Sequence, residues 1–276
     1  MNSDTVINFT QSSGPQRIVC LTEETTETLY LLGEQERIVG ISGFTVRPPQ
    51  ARKEKPKVSA YTSAKFDKIL KLEPDLVLGF SDLQADIAAQ LIREGIAVHV
   101  FNQRSVVEIL DMIRMLGAMV GAIEKTECLI AELQDGLTTM QEFATALPRR
   151  PRIYFEEWND PLISGIRWVS ELITIAGGED CFAELAASDG AKGRIIADPK
   201  NVILRAPDII IGSWCGKRFR PQQLIERQDW ATIPAVRNQH LYEIKSCDIL
   251  QPGPAALTDG VQQLQTIMQQ WAAKEC

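Results

Sequence analysis

The chain has 276 residues, 45% hydrophobic and 24% charged, with a formal net charge of −7 and no low-complexity tract. That length allows one large core or two smaller ones, and without a long basic cluster, nucleic-acid binding through phosphates is not expected. No run reaches the ~18 apolar residues of a membrane-spanning helix, so no membrane span is expected.

Residues 1–14 lack the basic start and apolar core of a secretory signal. The expected location is therefore cytoplasmic, or periplasmic if a signal has been removed. Without export, the sequon Asn8-Phe9-Thr10 is a chance match. Six cysteines with no C-x-x-C pair read as reduced thiols, and two histidines, His99 and His240, leave no multi-histidine metal site to expect.

In chain order, Val19 to Leu21 reads as a strand, and Thr22 to Gly33 as a helix with Thr22 at its N-cap. Glu23 and Glu24 then stand in the first turn, where the helix dipole favours them. Ile38 to Ser42 is the next strand, followed by a loop from Gly43 to Pro49. Phe66 to Leu72 is predicted helical, Asp75 to Gly79 a buried parallel strand, Ile87 to Gly95 a helix and Ala97 to Phe101 a strand. This alternation means a parallel sheet wrapped by helices. Ser105 to Gly117 reads as a helix. A long helical stripe follows from Ala122 to Leu147, carrying Ile123, Ile130, Leu133, Leu137, Met140, Ala144 and Leu147 at helical steps. Pro148-Arg-Arg-Pro151 ends it, and strand–helix alternation resumes.

Two stretches echo one another. Lys71-Leu-Glu-Pro-Asp-Leu-Val-Leu-Gly-Phe80 and Leu204-Arg-Ala-Pro-Asp-Ile-Ile-Ile-Gly-Ser-Trp214 each place a Pro-Asp turn before an apolar run. Upstream, Arg17-Ile18-Val19 is matched by Arg152-Ile153-Tyr154 at nearly the same offset. The repeat predicts an α/β fold of two Rossmann-like lobes with parallel sheets joined by one long helix, with a ligand cleft between the lobes. The expected division is a tail over 1–15, a lobe over 16–120, a linking helix over 121–148 and a lobe over 149–276. A long helix inside one larger domain is the alternative.

Two lobes, one long helix and the Pro-Asp motif in each resemble the class III substrate-binding proteins of ABC importers, which take up vitamin B12, siderophores and haem. Arg37-Ile-Val-Gly-Ile-Ser-Gly-Phe44, Pro48-Pro49 and Lys57-Val-Ser-Ala-Tyr61 are most similar to the cobalamin-binding branch. The resemblance implies that aromatic loop tips grip the ligand: Phe44, Tyr61 and Phe80 in the first lobe, Trp158, Leu162 and Trp214 in the second. It also implies an acid near the ligand, at Asp248 or, one residue away, Cys247. For Trp168, on an apparent helix, core packing is the better reading. Asp67 matches an acidic residue that docks the permease. The second-lobe counterpart matches Lys200, with Asp198 nearby, and another aromatic contact is replaced near Arg194.

The function so implied is non-catalytic binding of cobalamin or a related corrinoid, with no cofactor required and a small tetrapyrrole-like molecule as ligand. An ABC permease is the implied partner, which Lys200 and the missing signal argue against. Haem, with Tyr61 as axial ligand, is the alternative. A ferric siderophore is a weaker variant that would draw on Arg47, Arg167, Arg194 or Arg218. An enzyme could use Glu156 and Glu157 as acid and base, or Cys215 with its thiol pKa lowered by Lys217 and Arg218. No partnered histidine or G-x-S-x-G elbow supports that reading. A pure protein-interaction module is the remaining class.

Overall fold

A computed structural model describes residues 14–275. Most of the expected N-terminal tail, the sequon at Asn8 and Cys276 lie outside these residues. The chain divides into two compact units, Met1–Asn102 with Arg114–Glu127, and Gln103–Ile113 with Cys128–Cys276.

The first unit follows the predicted alternation: β1 (Ile18–Cys20), α1 (Glu23–Leu31), β2 (Ile38–Ser42), α2 (Ala51–Glu54), β3 (Lys57–Ala60), β4 (Ser63–Ala64), α3 (Phe66–Lys71), β5 (Leu76–Phe80), α4 (Ala85–Arg93) and β6 (Val98–Phe101). The sheet order is β4-β3-β2-β1-β5-β6, parallel except for the β3–β4 hairpin. That hairpin and α2 are too short for hydrophobic periodicity to mark them. One face of the sheet packs Val19, Leu21, Val58 and Val77 against Ile69, Ile87 and Leu91.

Helices α5 (Val106–Met119) and α6 (Ile123–Thr145) contribute residues to both units. The stripe on α6 is buried at Ile130, Leu133 and Leu137, but its first member, Ile123, is 61% exposed.

The second unit comprises β7 (Arg152–Asn159), β8 (Leu162–Ser164), α7 (Arg167–Ile175), β9 (Glu179–Asp180), α8 (Ala183–Ala186), α9 (Lys200–Arg205), β10 (Ile209–Gly212), α10 (Pro221–Ile225), α11 (Pro234–Arg237), β11 (Leu241–Glu243), α12 (Ser246–Ile249) and α13 (Val261–Glu275). Strands β11, β10 and β7 run parallel, β9 pairs parallel with β7, and β8 folds back antiparallel. Tyr154, Phe182, Ile210, Trp214 and Trp230 share one core cluster. Trp168 is buried as expected, its indole N–H donating to the Ile249 carbonyl at 2.9 Å.

The sequence echo has a physical basis. In the first unit Asp75 accepts a hydrogen bond from the Arg17 amide at 2.9 Å, while the Asp75 amide donates to the Arg17 carbonyl at 3.0 Å. In the second, Asp208 accepts from the Arg152 amide and returns its own amide to the Arg152 carbonyl, each at 2.8 Å. Each aspartate thereby ties the start of one central strand to the start of its parallel neighbour, setting the register Ile18–Leu76 and Ile153–Ile209. The residues preceding the Pro-Asp pairs, Glu73 and Ala206, have matching left-handed φ values of 45° and 44°.

Candidate ligand-binding site

Loops at the C-terminal ends of parallel strands are where open α/β sheets bind ligands. In the first unit, Phe44 follows β2 and stands 64% exposed. Its loop is fastened from below. The Val46 amide donates to Glu23 at 2.9 Å, Arg47 pairs with Glu27 at 2.9 Å, and Arg52 donates to the carbonyls of Gly43 and Thr45, each at 2.8 Å. Tyr61 sits half-buried in the β3–β4 turn, and its carbonyl accepts from Gln84 at 2.9 Å. Phe80 ends β5 and is buried. Gln84 therefore joins the segments that carry Tyr61 and Phe80, while Phe44 rides on a separate loop.

Behind these tips α1 differs from its expected form. Thr22 occupies the N-cap position, but its hydroxyl donates to the Glu24 carboxyl at 2.6 Å instead of capping the helix. Glu23 and Glu24 are buried rather than solvated, so desolvation outweighs the helix dipole. Burial, reinforced by the neighbouring carboxylates, pushes Glu23 up to about 8 and Glu24 up to about 7. One oxygen on each has no hydrogen-bond partner, an arrangement suited to neutral carboxyls.

In the second unit, Trp158 lies near the end of β7, half-buried, with its indole N–H donating to the Asp160 carbonyl at 2.8 Å. The Lys217 ammonium stands 3.9 Å from the Trp158 ring centroid and 5.3 Å from that of Trp214, and donates to Asn159 at 2.5 Å. Trp214 and Leu162 are themselves buried. The structure thus brings Trp158 and Trp214 together around one cation. A Cβ on Gly212 would fall 1.9 Å from the Phe219 ring, so only glycine lets this loop fold back on the strand end.

The adjacent acids that could have served catalysis are held by arginines. Glu156 is fully buried and receives both Arg227 guanidinium nitrogens at 2.6 and 3.0 Å, the Trp214 indole N–H at 2.9 Å and the Tyr154 hydroxyl at 2.9 Å. Glu157 receives Arg194 at 2.5 and 3.1 Å, and Arg194 also donates to the Ser164 carbonyl. Cys215 is not activated as its basic neighbours suggested. Although the residue is exposed, partial desolvation of the sulfur and then Glu157 raise its thiol pKa, and Lys217 is occupied by Trp158 and Asn159. Of the arginines considered for anionic chelates, Arg47, Arg167 and Arg194 are paired with glutamates, and Arg218 is exposed.

Asp248, on α12, is half-buried and accepts from Gln263 at 3.2 Å and from the Cys247 thiol at 3.4 Å. Asp67 is exposed in the first turn of α3, with Lys65 and Lys68 beside it in sequence. Lys200 is exposed at the start of α9, its amide bonded to Asp198 at 2.9 Å. Among the described residues no group of three or more His, Cys, Asp or Glu side chains could hold a metal ion. No helix among them is long and apolar enough to cross a membrane. Gln84 and Arg227, which organise the two sets of loop tips, belong to no motif and could not be singled out from spacing.

Comparison with known proteins agrees with this architecture. An uncharacterised ABC transporter substrate-binding lipoprotein of Bacillus subtilis is 26% identical over 91% of this chain and 79% of its own length. A vitamin B12-binding protein of Vibrio parahaemolyticus is 25% identical over 91% of this chain and 89% of its own. A periplasmic haem-binding protein from Roseiflexus sp. shares the fold with a TM-score of 0.77 at 23% identity, covering 92% of this chain and 100% of its own. These names speak of lipoproteins and of the periplasm, and none supports the expected cytoplasmic location. Residues 18–247 match the periplasmic binding protein family, and the chain belongs to that family.

Proposed function

We propose that the chain is the substrate-binding component of an ABC-type importer and that its ligand is cobalamin or a related corrinoid. The observation that carries this reading is the placing of stiff aromatic side chains at the strand-end loops of each unit, in a chain similar over nine-tenths of its length to a protein named for vitamin B12. Corrins are broad, nearly flat and edged with amides, so apolar ring faces flanked by a few polar groups suit them. Phe44, Tyr61 and Trp158 are the contacts proposed. Phe80, Leu162 and Trp214, which are more buried, are proposed as further contacts, and Asp248 as the acid near the ligand. Asp67 is proposed to face the permease, with Lys200 the mismatch in the second unit.

Titrating the protein with cyanocobalamin in a calorimeter tests the reading. The expected result is a single site of micromolar or tighter affinity that weakens about tenfold or more in Trp158→Ala or Phe44→Ala. No heat of binding at millimolar corrinoid would refute it. Haem is the second reading, favoured by the Tyr61 phenol on a loop tip and by the haem-binding structural neighbour. A Soret shift on haemin addition that disappears in Tyr61→Phe would select it.

A further inference from the structure

We propose that Gln84 is a positioning residue for the ligand, a single buried amide that sets the Tyr61 tip relative to the end of β5. This rests on the binding reading above. Gln84 has no exposed surface, and both ends of its amide are used within one unit. Its Oε1 accepts the Phe80 amide at 3.0 Å, and its Nε2 donates to the Tyr61 carbonyl at 2.9 Å. The chain is shaped to deliver it. Ser81 turns through a left-handed φ of 65°, its hydroxyl accepts the Leu83 amide, and a short 3₁₀ turn over Asp82–Gln84 brings the amide back under the strand it has just left. Gly79 completes the slot, because a Cβ there would lie 2.8 Å from Oε1.

The chemistry suits an amide. The two backbone groups to be joined are an N–H and a C=O, so the bridging side chain must accept at one end and donate at the other. A carboxylate can only accept, and an aliphatic side chain does neither. Tyr61 occupies a two-residue connection between short strands, so the tie to its carbonyl limits the freedom its ring would lose on gripping a ligand.

The test is a double-mutant cycle on the full chain, read as cyanocobalamin affinity by calorimetry, with haemin as probe if the corrinoid does not bind. Gln84→Met is expected to weaken binding about tenfold in the wild-type background, yet less than twofold once Tyr61→Ala has removed the ring being positioned. The conservative Gln84→Glu should recover affinity at pH 5, where a neutral carboxyl can both donate and accept, and lose it at pH 9. If Gln84→Met does not fold, Gly79→Ala perturbs the same slot and enters the same cycle. Equal losses with and without the Tyr61 ring, or full affinity in Gln84→Met, would overturn the inference while leaving the ligand reading intact. Failure of the wild-type chain to bind either probe would overturn both.

Discussion

Two adjacent glutamate pairs lie at the loop-bearing ends of the central strands, and the fold treats them in opposite ways. Glu23 and Glu24, just after β1, are buried without a full set of partners, and their pKa values rise towards neutrality or beyond. Glu156 and Glu157, in β7, each meet a bidentate arginine, from Arg227 and Arg194 respectively. Identical side chains in comparable places thus become desolvated, part-satisfied groups in one unit and arginine-paired struts in the other. The difference is whether a guanidinium bonds the acid itself, and in the first unit Arg47 pairs with Glu27 instead. The consequence reaches the loop tips. Glu23 holds the Phe44 loop through one backbone amide, whereas Glu156 and Glu157 lock the surroundings of Trp214 and Trp158 with ion pairs.

The largest effect that would test this contrast is expected for Glu156→Ala. It strands a mostly buried guanidinium, the Trp214 indole N–H and the Tyr154 hydroxyl, and should cost about 4 kcal/mol in chemical denaturation. A loss below about 1 kcal/mol would mean that the arginine pair is not a strut.

Glu157→Ala leaves Arg194 with only the Ser164 carbonyl among the acceptors that bind its terminal nitrogens, and should cost about 3 kcal/mol by the same measurement.

Glu23→Gln probes the other pair, through pH. Because burial raises its pKa in the fold to about 8, ionising Glu23 opposes folding. The stability associated with its neutral form is complete below the ordinary carboxyl range and is lost as pH rises to about 8. Glu24 and Glu27 reinforce the rise, while the Val46 amide and Arg47 oppose it. The variant should therefore melt higher than wild type at pH 9 and near it at pH 5. The opposite slope would show that Glu23 is charged in the fold.

The smallest effect is expected for Lys217→Ala. Removing the cation from the face of Trp158 should cost no more than about 1 kcal/mol and shift the indole emission as the ring gains water.

Much of the α/β alternation was legible because buried parallel strands write themselves as short apolar runs and their helices as period-3.6 stripes. The Pro-Asp echo could be recognised as a repeat, and its reciprocal hydrogen bonds give a physical reason for it: a short side-chain acceptor at that position ties two strands in register. The hairpins β3–β4 and β7–β8 could not be read in the same way, since two- and three-residue strands have too few positions to show a period. The candidate site was legible only by residue type. Phe44, Tyr61, Phe80 and Trp214 all precede or follow glycine or turn residues, yet Phe44 is largely exposed and Phe80 and Trp214 are buried.

Local order along the chain was enough to specify which segments become strands and helices, because propensity, periodicity and turn chemistry act between near neighbours. What awaited the folded structure was the state of each polar side chain. Whether a glutamate is neutral or paired, and whether an amide such as Gln84 is solvated or spans two loops, depends on groups brought together from distant parts of the sequence. Desolvation and the geometry of those partners carry that information, and neither is written in any local pattern.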